Sequence, residues 1–406
     1  MKNLSLIKRI MLLLSFSTIL FSLSAQENDD KNENKPYLNM WILIQNDIIY
    51  DINQMDPDWI GGFRPSKIPV YPTDPGWGAD GGFYYSIRPS TFKFEGVIPV
   101  NHRWNEIKLR FEFDLFGMGV HAGETAFRFR LAYGDWGPLR IGKDWSTFID
   151  LDAFPNIYDW WGPSGMALLP APTIRFTQNL SDNDKLELAL EVPGNEIDPG
   201  YLRQIDPVLI DFRPKEILPD FIVRYTRSGN FGYVKIASML RNLEYEVLSI
   251  QNEQAENRSK FGWAVNLTAA INTFNKKGVL KLQGVYGQGY AGYNNDGGVE
   301  IAPNENFRAV VPVQYGFTAF YDFSINDKWE TSFGYSETNY DNSVGQLNNA
   351  FHRSQYAVGQ LIYNVISDRL LVGLNYQYGK KFNKDSNSAY DQRILFNVSY
   401  SFSMLK

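Results

Sequence analysis

Basic side chains recur at every second position on several strand-like stretches. Lys108 and Arg110 alternate with Ile107, Leu109 and Phe111. Arg128 and Arg130 alternate with Phe127, Phe129, Leu131 and Tyr133. Arg140 stands opposite Leu139 and Ile141, and Arg175 opposite Ile174 and Phe176. A period of two puts the bases on one face and the apolar groups on the other. With Arg88, seven bases share that face with three acids, Glu112, Asp114 and Asp144. Such a face does not make or break bonds. Clustered guanidinium groups in a confined space raise the local anion concentration, and their planar forks grip carboxylates.

A second stretch carries the opposite charge. Trp145 to Gly165 has no period and holds Asp150, Asp152 and Asp159 among six aromatic residues. Facing the arginine wall, these acids would set up a transverse field that orients small anionic or dipolar solutes. Trp145, Phe148, Trp160 and Trp161 would anchor the segment. Asp150 and Asp159 have a second possible role, capping the segment's own backbone.

Elements with an aromatic outer face and an arginine inner face do not suit a soluble core. They suit a barrel wall with lipid outside and water inside. The same alternation recurs sixteen times between Tyr37 and Phe402. Short connections with turn chemistry, such as Gly134–Pro138 and Asn179–Asp184, alternate with long ones, such as Asp51–Gly81, Val192–Leu218 and Glu244–Lys260. The expected fold is therefore all-β: a transmembrane antiparallel barrel of sixteen strands over residues 37–406. Trp145–Gly165 would be a constriction loop between strands 5 and 6. The parity of strand 2 slips at Pro89-Ser90, which implies a break there.

The stretch AYGDWGPLRIGKDWSTFIDLDAFPNIYDWWGPSG resembles the DcaP-like trimeric porins of bacterial outer membranes. Ala132-Tyr133-Gly134, Trp136-Gly137, Gly142, Trp145-Ser146-Thr147-Phe148, Asp150, Pro155, Asp159 and Gly162-Pro163 carry the match. Looser likeness extends to Phe111–Gly117 and Pro172–Thr177. The resemblance implies a homotrimer, an inward-folded constriction loop and small carboxylates as solutes. Two positions depart from the pattern. Pro170 stands where a basic residue is expected, and Phe402 is followed by four residues instead of ending the chain.

The chain of 406 residues has a formal net charge of −6, which argues against nucleic acid as a partner, and no cysteine for disulfides or a lipid anchor. Residues 1–25 read as a signal peptide, with Lys2, Lys8 and Arg9 before an apolar run and Ser24-Ala25 at the cut. Residues 26–36 read as a short disordered periplasmic segment. The partners expected are outer-membrane lipid and small hydrophilic, preferentially anionic solutes. No cofactor or metal is expected. A saturable substrate-specific channel or receptor is the alternative function, and a barrel enzyme a weaker one. The enzyme reading would rest on His121 and His352 in outer loops, since His102 falls in a periplasmic turn; no Gly-x-Ser-x-Gly elbow accompanies them. Replacing both His121 and His352 by Ala is expected to leave single-channel conductance unchanged; loss of a hydrolytic activity on the same replacement would favour an enzyme.

Overall fold

The computed structural model describes residues 35–78, 80–201, 209–249, 256–304, 309–367 and 369–404. The stretches read as signal peptide and disordered segment lie almost wholly outside them. From Tyr37 onward the chain is a closed wall of sixteen antiparallel strands. They are β1 (Tyr37–Asp51), β2 (Gly82–Ser86 and Thr91–Pro99), β3 (Glu106–Phe116), β4 (Thr125–Trp136), β5 (Leu139–Trp145) and β6 (Pro170–Asn179). Next come β7 (Asp184–Glu191), β8 (Leu209–Lys215 and Asp220–Gly229), β9 (Gly232–Ser249), β10 (Glu256–Thr273) and β11 (Gly278–Gln288). The last are β12 (Val313–Ser324), β13 (Trp329–Tyr340), β14 (Phe351–Ile366), β15 (Leu370–Asn383) and β16 (Ser388–Met404). Each pairs with the next in chain order, and β16 closes on β1 from Met40↔Met404 to Asp51↔Arg393. Closure leaves no open sheet edge, the condition a bilayer would set for a spanning wall.

The two faces separate as the alternation demands. Phe111, Phe127, Ile141, Ile174, Leu267, Phe333 and Leu374 face outward and are exposed, while Thr318, Ser332, Asn375, Gln377 and Asn397 face inward and are buried. Asn46 interrupts the outer face of β1. Its amide is satisfied there, donating to the Val398 carbonyl at 3.2 Å and accepting from the Tyr85 hydroxyl at 2.6 Å.

The break in β2 falls at Ile87–Ser90, where Ser90 Oγ takes over the ladder by accepting from Gln45 N at 3.1 Å. The alternation expected for β4 fails at two points, between Thr125 and Arg128 and at Arg130. Glu112 pairs with Leu131 but Phe113 with Phe129, so Arg130 is an extra residue in a β-bulge. Below it the parity reverses: Leu131 is buried and faces inward with Tyr133, and Ala132 and Trp136 take the outer face. Bulges re-aim side chains in this way, and nothing in the local pattern marks this one. Two expected loops are shorter than the sequence implies. Leu209–Lys215 is strand, pairing with upper β9 from Glu244 to Ser249, and β9 continues to pair β10 as far as Val247↔Glu256. The reason is burial: Leu243 and Tyr245 pack with Ile301 and Ala309 of a later loop.

Three long connections fold into the lumen, after β1, β5 and β11. Between them and the inner wall lie two apolar clusters. One joins Trp59, Phe63 and Ile68 of the first loop to Phe116, Phe320 and Tyr356 of the wall. The other joins Phe148 and Ile149 to Tyr290, Tyr293 and Met239. Truncating a buried Phe costs about 3–5 kcal/mol. Phe63→Ala is therefore expected to loosen the first loop: protease should cut between Asn53 and Gly81, where the parent chain resists, with the amide protection of the wall unchanged.

Candidate functional site

The segment after β5 turns inward and runs along the inner wall. A turn of 3-10 helix at Leu151–Ala153 starts it, capped by Asp150, whose Oδ1 accepts from Asp152 N at 3.1 Å. Wall side chains then satisfy its backbone. Asn266 donates to Phe148 O at 2.8 Å, Arg224 to Ile149 O at 2.9 Å and Lys281 to Phe154 O at 2.6 Å. Gln360 bonds both Asn156 O at 3.0 Å and Tyr158 N at 2.7 Å, and Gln45 donates to Tyr158 O at 3.0 Å. At its far end Gly165 lies so close to the wall that a Cβ there would strike the Glu337 carbonyl.

The three acids of the loop have different fates. Asp150 is buried and takes Lys235 Nζ at 2.5 Å and Thr268 Oγ1 at 2.7 Å. Asp159 is also buried. It accepts from Trp161 N and Gly162 N of its own loop at 3.3 Å each, from Phe63 N at 3.0 Å and from Tyr356 Oη at 2.8 Å. Only Asp152 presents its carboxylate to open space, at 73% side-chain exposure, with Lys235 Nζ at 2.7 Å. Partial burial pushes its carboxyl up, but the hydrogen bond and charge of Lys235 outweigh this and hold it below the ordinary value.

The bases are mostly paired. Arg128 takes Asp114 with two bonds, at 3.0 and 2.5 Å. Arg130, thrown inward by the bulge, reaches Glu112 at 3.1 Å and Asp114 at 3.4 Å. Its guanidinium lies between two indoles, 5.1 Å from Trp145 and 4.5 Å from Trp160. Arg110 stacks on Trp41 at 5.1 Å, with Glu95 and Glu112 each at 3.7 Å. Arg140 bonds Asp135 and Asp144 at 2.6 and 2.7 Å and covers Tyr133. Arg175 reaches Asp144 at 3.1 Å and Thr147 Oγ1 at 2.8 Å. Arg88 is buried against the Phe116 ring at 3.9 Å, and Lys108 pairs with Glu106 at the short-turn rim.

Two contiguous cavities remain. One, of about 960 Å³, lies toward the short turns and is lined by Arg110, Arg130, Arg140 and Arg175 from the expected set. The other, of about 850 Å³, runs from Arg64, Glu196 and Gly297 of the long loops past Trp160 to Glu330 and Asn364. Leu43, Arg130, Trp145, Leu151, Phe154 and Trp160 border both, so Arg130 and its two indoles stand at the partition the cavities share. Arg88 and Lys108 border neither. Of the aromatic anchors, Phe148 packs away from the cavities, against Tyr293 at 5.7 Å, and Trp161 packs edge-on against Trp59 at 4.5 Å while bordering the 850 Å³ cavity. Trp145 and Trp160 line both cavities.

Four further bases of the 960 Å³ cavity, Lys93, Lys185, Arg224 and Lys235, were not singled out from sequence. Each sits in an alternating stretch and was legible in principle. Lys93 follows the break at Pro89, which hides its parity, and the other three lie beyond the β2–β6 sector that carried the charge argument. The histidines lie apart from the passage: His121 Nδ1 is 2.9 Å from Glu124, and His352 Nδ1 is 2.9 Å from Tyr340 O.

No family model and no curated protein sequence matches the chain. Solved structures do match. The outer membrane channel DcaP of Acinetobacter baumannii aligns with a TM-score of 0.75 at 18% identity, over 92% of this chain and 99% of that one. The anion-selective porin from Comamonas acidovorans gives a TM-score of 0.52 at 7% identity, over 91% and 100%. OmpT of Vibrio cholerae in a trimer form gives 0.51 at 9% identity, over 90% and 99%. At these identities the likeness is one of fold, and it is the fold implied by the motif around Trp145.

Removing Asp150 leaves Lys235 buried without its partner, which costs about 3–5 kcal/mol. Asp150→Ala is expected to detach the first turn of the loop from β9 and β10. Single-channel recordings should show larger and noisier current steps; steps identical to those of the parent chain would mean the ion pair does not position the loop.

Proposed function

We propose that the chain is an outer-membrane porin that passes small hydrophilic solutes passively and prefers anions, small carboxylates among them. The observation that carries the preference is the lining of the 960 Å³ cavity, where eight basic side chains face four acidic ones. Glu95, Asp114, Asp135 and Glu187, just outside that lining, pair with Arg110, Arg130, Arg140 and Arg224 and offset much of the excess; a confined passage focuses the field of what remains. Arg130 borders both cavities, with a fork suited to a carboxylate and the indoles of Trp145 and Trp160 close to it. The solved porin from Comamonas acidovorans is described as anion-selective, and the same property is inferred here. A saturable, substrate-specific channel is the second reading, favoured by Arg130, Trp145 and Trp160 grouping a guanidinium and two indoles where both cavities meet.

The same reading takes the chain to a homotrimer, the form in which one structure of OmpT is described. The wall offers a place for the contact. β5 meets β4 only from Trp136↔Leu139 to Ala132↔Lys143. The upper part of β4, Thr125–Leu131, therefore lacks a ladder partner on that side, and Phe127 on it is 79% exposed. Phe129 and Lys143, outward by register, also border the 850 Å³ cavity. A second copy against the short strands β5–β7 would close this gap.

Reversal potential in a planar bilayer under a KCl gradient tests the proposal. The purified protein is expected to be anion-selective, with conductance closing in threes. Arg130→Gln should lower the anion-to-cation permeability ratio by about twofold or more, because the charge it removes borders both cavities. Cation selectivity in the parent chain would mean that the exposed carboxylates, Asp152 first, govern the passage, and the solute preference would fall with it. Current block that saturates with one carboxylate and not others would favour the specific channel.

A further inference from the structure

The outer face of the wall carries one basic site that the passage does not use. On β14, Ser354 and Tyr356 are buried in the lumen, so Arg353 and Gln355 face outward. Their ladder partners on β15 are Phe382 and Lys380. The Arg353 guanidinium lies 4.0 Å from the Phe382 ring centre, and Lys380 Nζ lies 4.7 Å from the same ring. Two cations thus share one aromatic plate. Among the described residues neither makes an ion pair, and Arg353 Nε is buried with no hydrogen-bond partner. Glu337, an outward acid on β13, is already taken by Tyr335 Oη at 2.6 Å and Gln355 Nε2 at 3.0 Å.

Position along the wall gives the site its meaning. Near the short turns, Tyr363 of β14 packs against Trp329 at 4.7 Å, a pair typical of an interfacial aromatic girdle. From Tyr363 to Arg353 the strand climbs ten residues through Leu361, Gly359 and Ala357. At about 3.3 Å per residue and a tilt of about 40° this is about 25 Å, the height of the apolar band of such barrels. Tyr378 and Tyr390 stack beside the site at 6.3 Å and mark the opposite girdle. Arg353 and Lys380 therefore stand where the hydrocarbon ends, on the side of the long loops.

We infer that Arg353 and Lys380 form a binding site for a phosphate group of the phosphorylated glycolipid in the outer leaflet. The guanidinium fork matches two phosphate oxygens, the ammonium adds a point charge, and Phe382 holds both cations in place. The inference rests on the outer-membrane reading, with long loops outward, and not on the selectivity of the passage.

The test is native mass spectrometry of the full-length barrel in detergent, loaded with bisphosphorylated lipid A. The parent chain is expected to retain the lipid, and Arg353→Gln/Lys380→Gln to retain it about tenfold less, since two charge-assisted contacts are lost. Single-channel conductance of the same variant should match the parent, which shows that the barrel is folded. Equal retention by the variant would overturn the site. So would equal retention of lipid A stripped of phosphate, which would leave only acyl-chain contact. Displacement of the lipid by inorganic phosphate at millimolar concentration would instead mean a site for free anions, and the lipid assignment would be dropped. The lipid readout needs no conducting channel, so failure of the porin reading would not mimic any of these results.

Discussion

Closure of the backbone ladder is the constraint on which everything else depends. In hydrocarbon an unpaired peptide group costs several kcal/mol, so the strands must pair in a ring without an edge. β1 meeting β16 over Met40–Asp51 completes that ring. Once it closes, the period of two becomes a division between lipid and lumen, and every inward position can be polar. The upper part of β4 lacks a ladder partner on the side where β5 runs for only seven residues.

A polar inner wall then does a second job. Segments entering a barrel lumen bring peptide groups that need partners, and here the partners are side chains of the wall. Asn266, Arg224, Lys281, Gln360 and Gln45 bond the loop after β5 along most of its path. Buried ion pairs such as Asp150–Lys235 are weak sources of stability because desolvation offsets much of the Coulomb gain. Breaking one is costly all the same, so they fix where the loop lies. The passage is what the loops leave over. Its charge comes from wall residues whose partners only partly cancel them, and Arg130, beside Trp145 and Trp160, borders both of its cavities.

The bulge in β4 links these two levels. Without it, Leu131 and Tyr133 would face lipid with Phe129. The extra residue turns them inward, lets Tyr133 lie under Arg140 at 3.9 Å, and sets Arg130 against both indoles. A one-residue irregularity in the ladder thus determines which guanidinium group borders both cavities.

What the sequence determined by itself is the wall. Alternation is a local property with a period of two, so Ile107–Leu115 or Ile394–Phe402 shows its two faces without knowledge of its neighbours. Sixteen such stretches with short and long connections in turn leave little choice but a barrel, and the inward direction of Arg110, Arg140 and Arg175 follows from their own strands. The motif from Ala132 to Gly165 placed the constriction loop in the same way. What only the tertiary structure decided is which charges face water. Asp150 and Asp159 look like any exposed loop acids in sequence, yet Lys235 and Tyr356, which bury them, lie 85 and 197 residues away. The break at Pro89 and the bulge at Arg130 reset parity at single residues, where a period has nothing to register. The extension of β9 and β10 depended on Ile301 and Ala309, contacts between distant parts of the chain that no local pattern encodes.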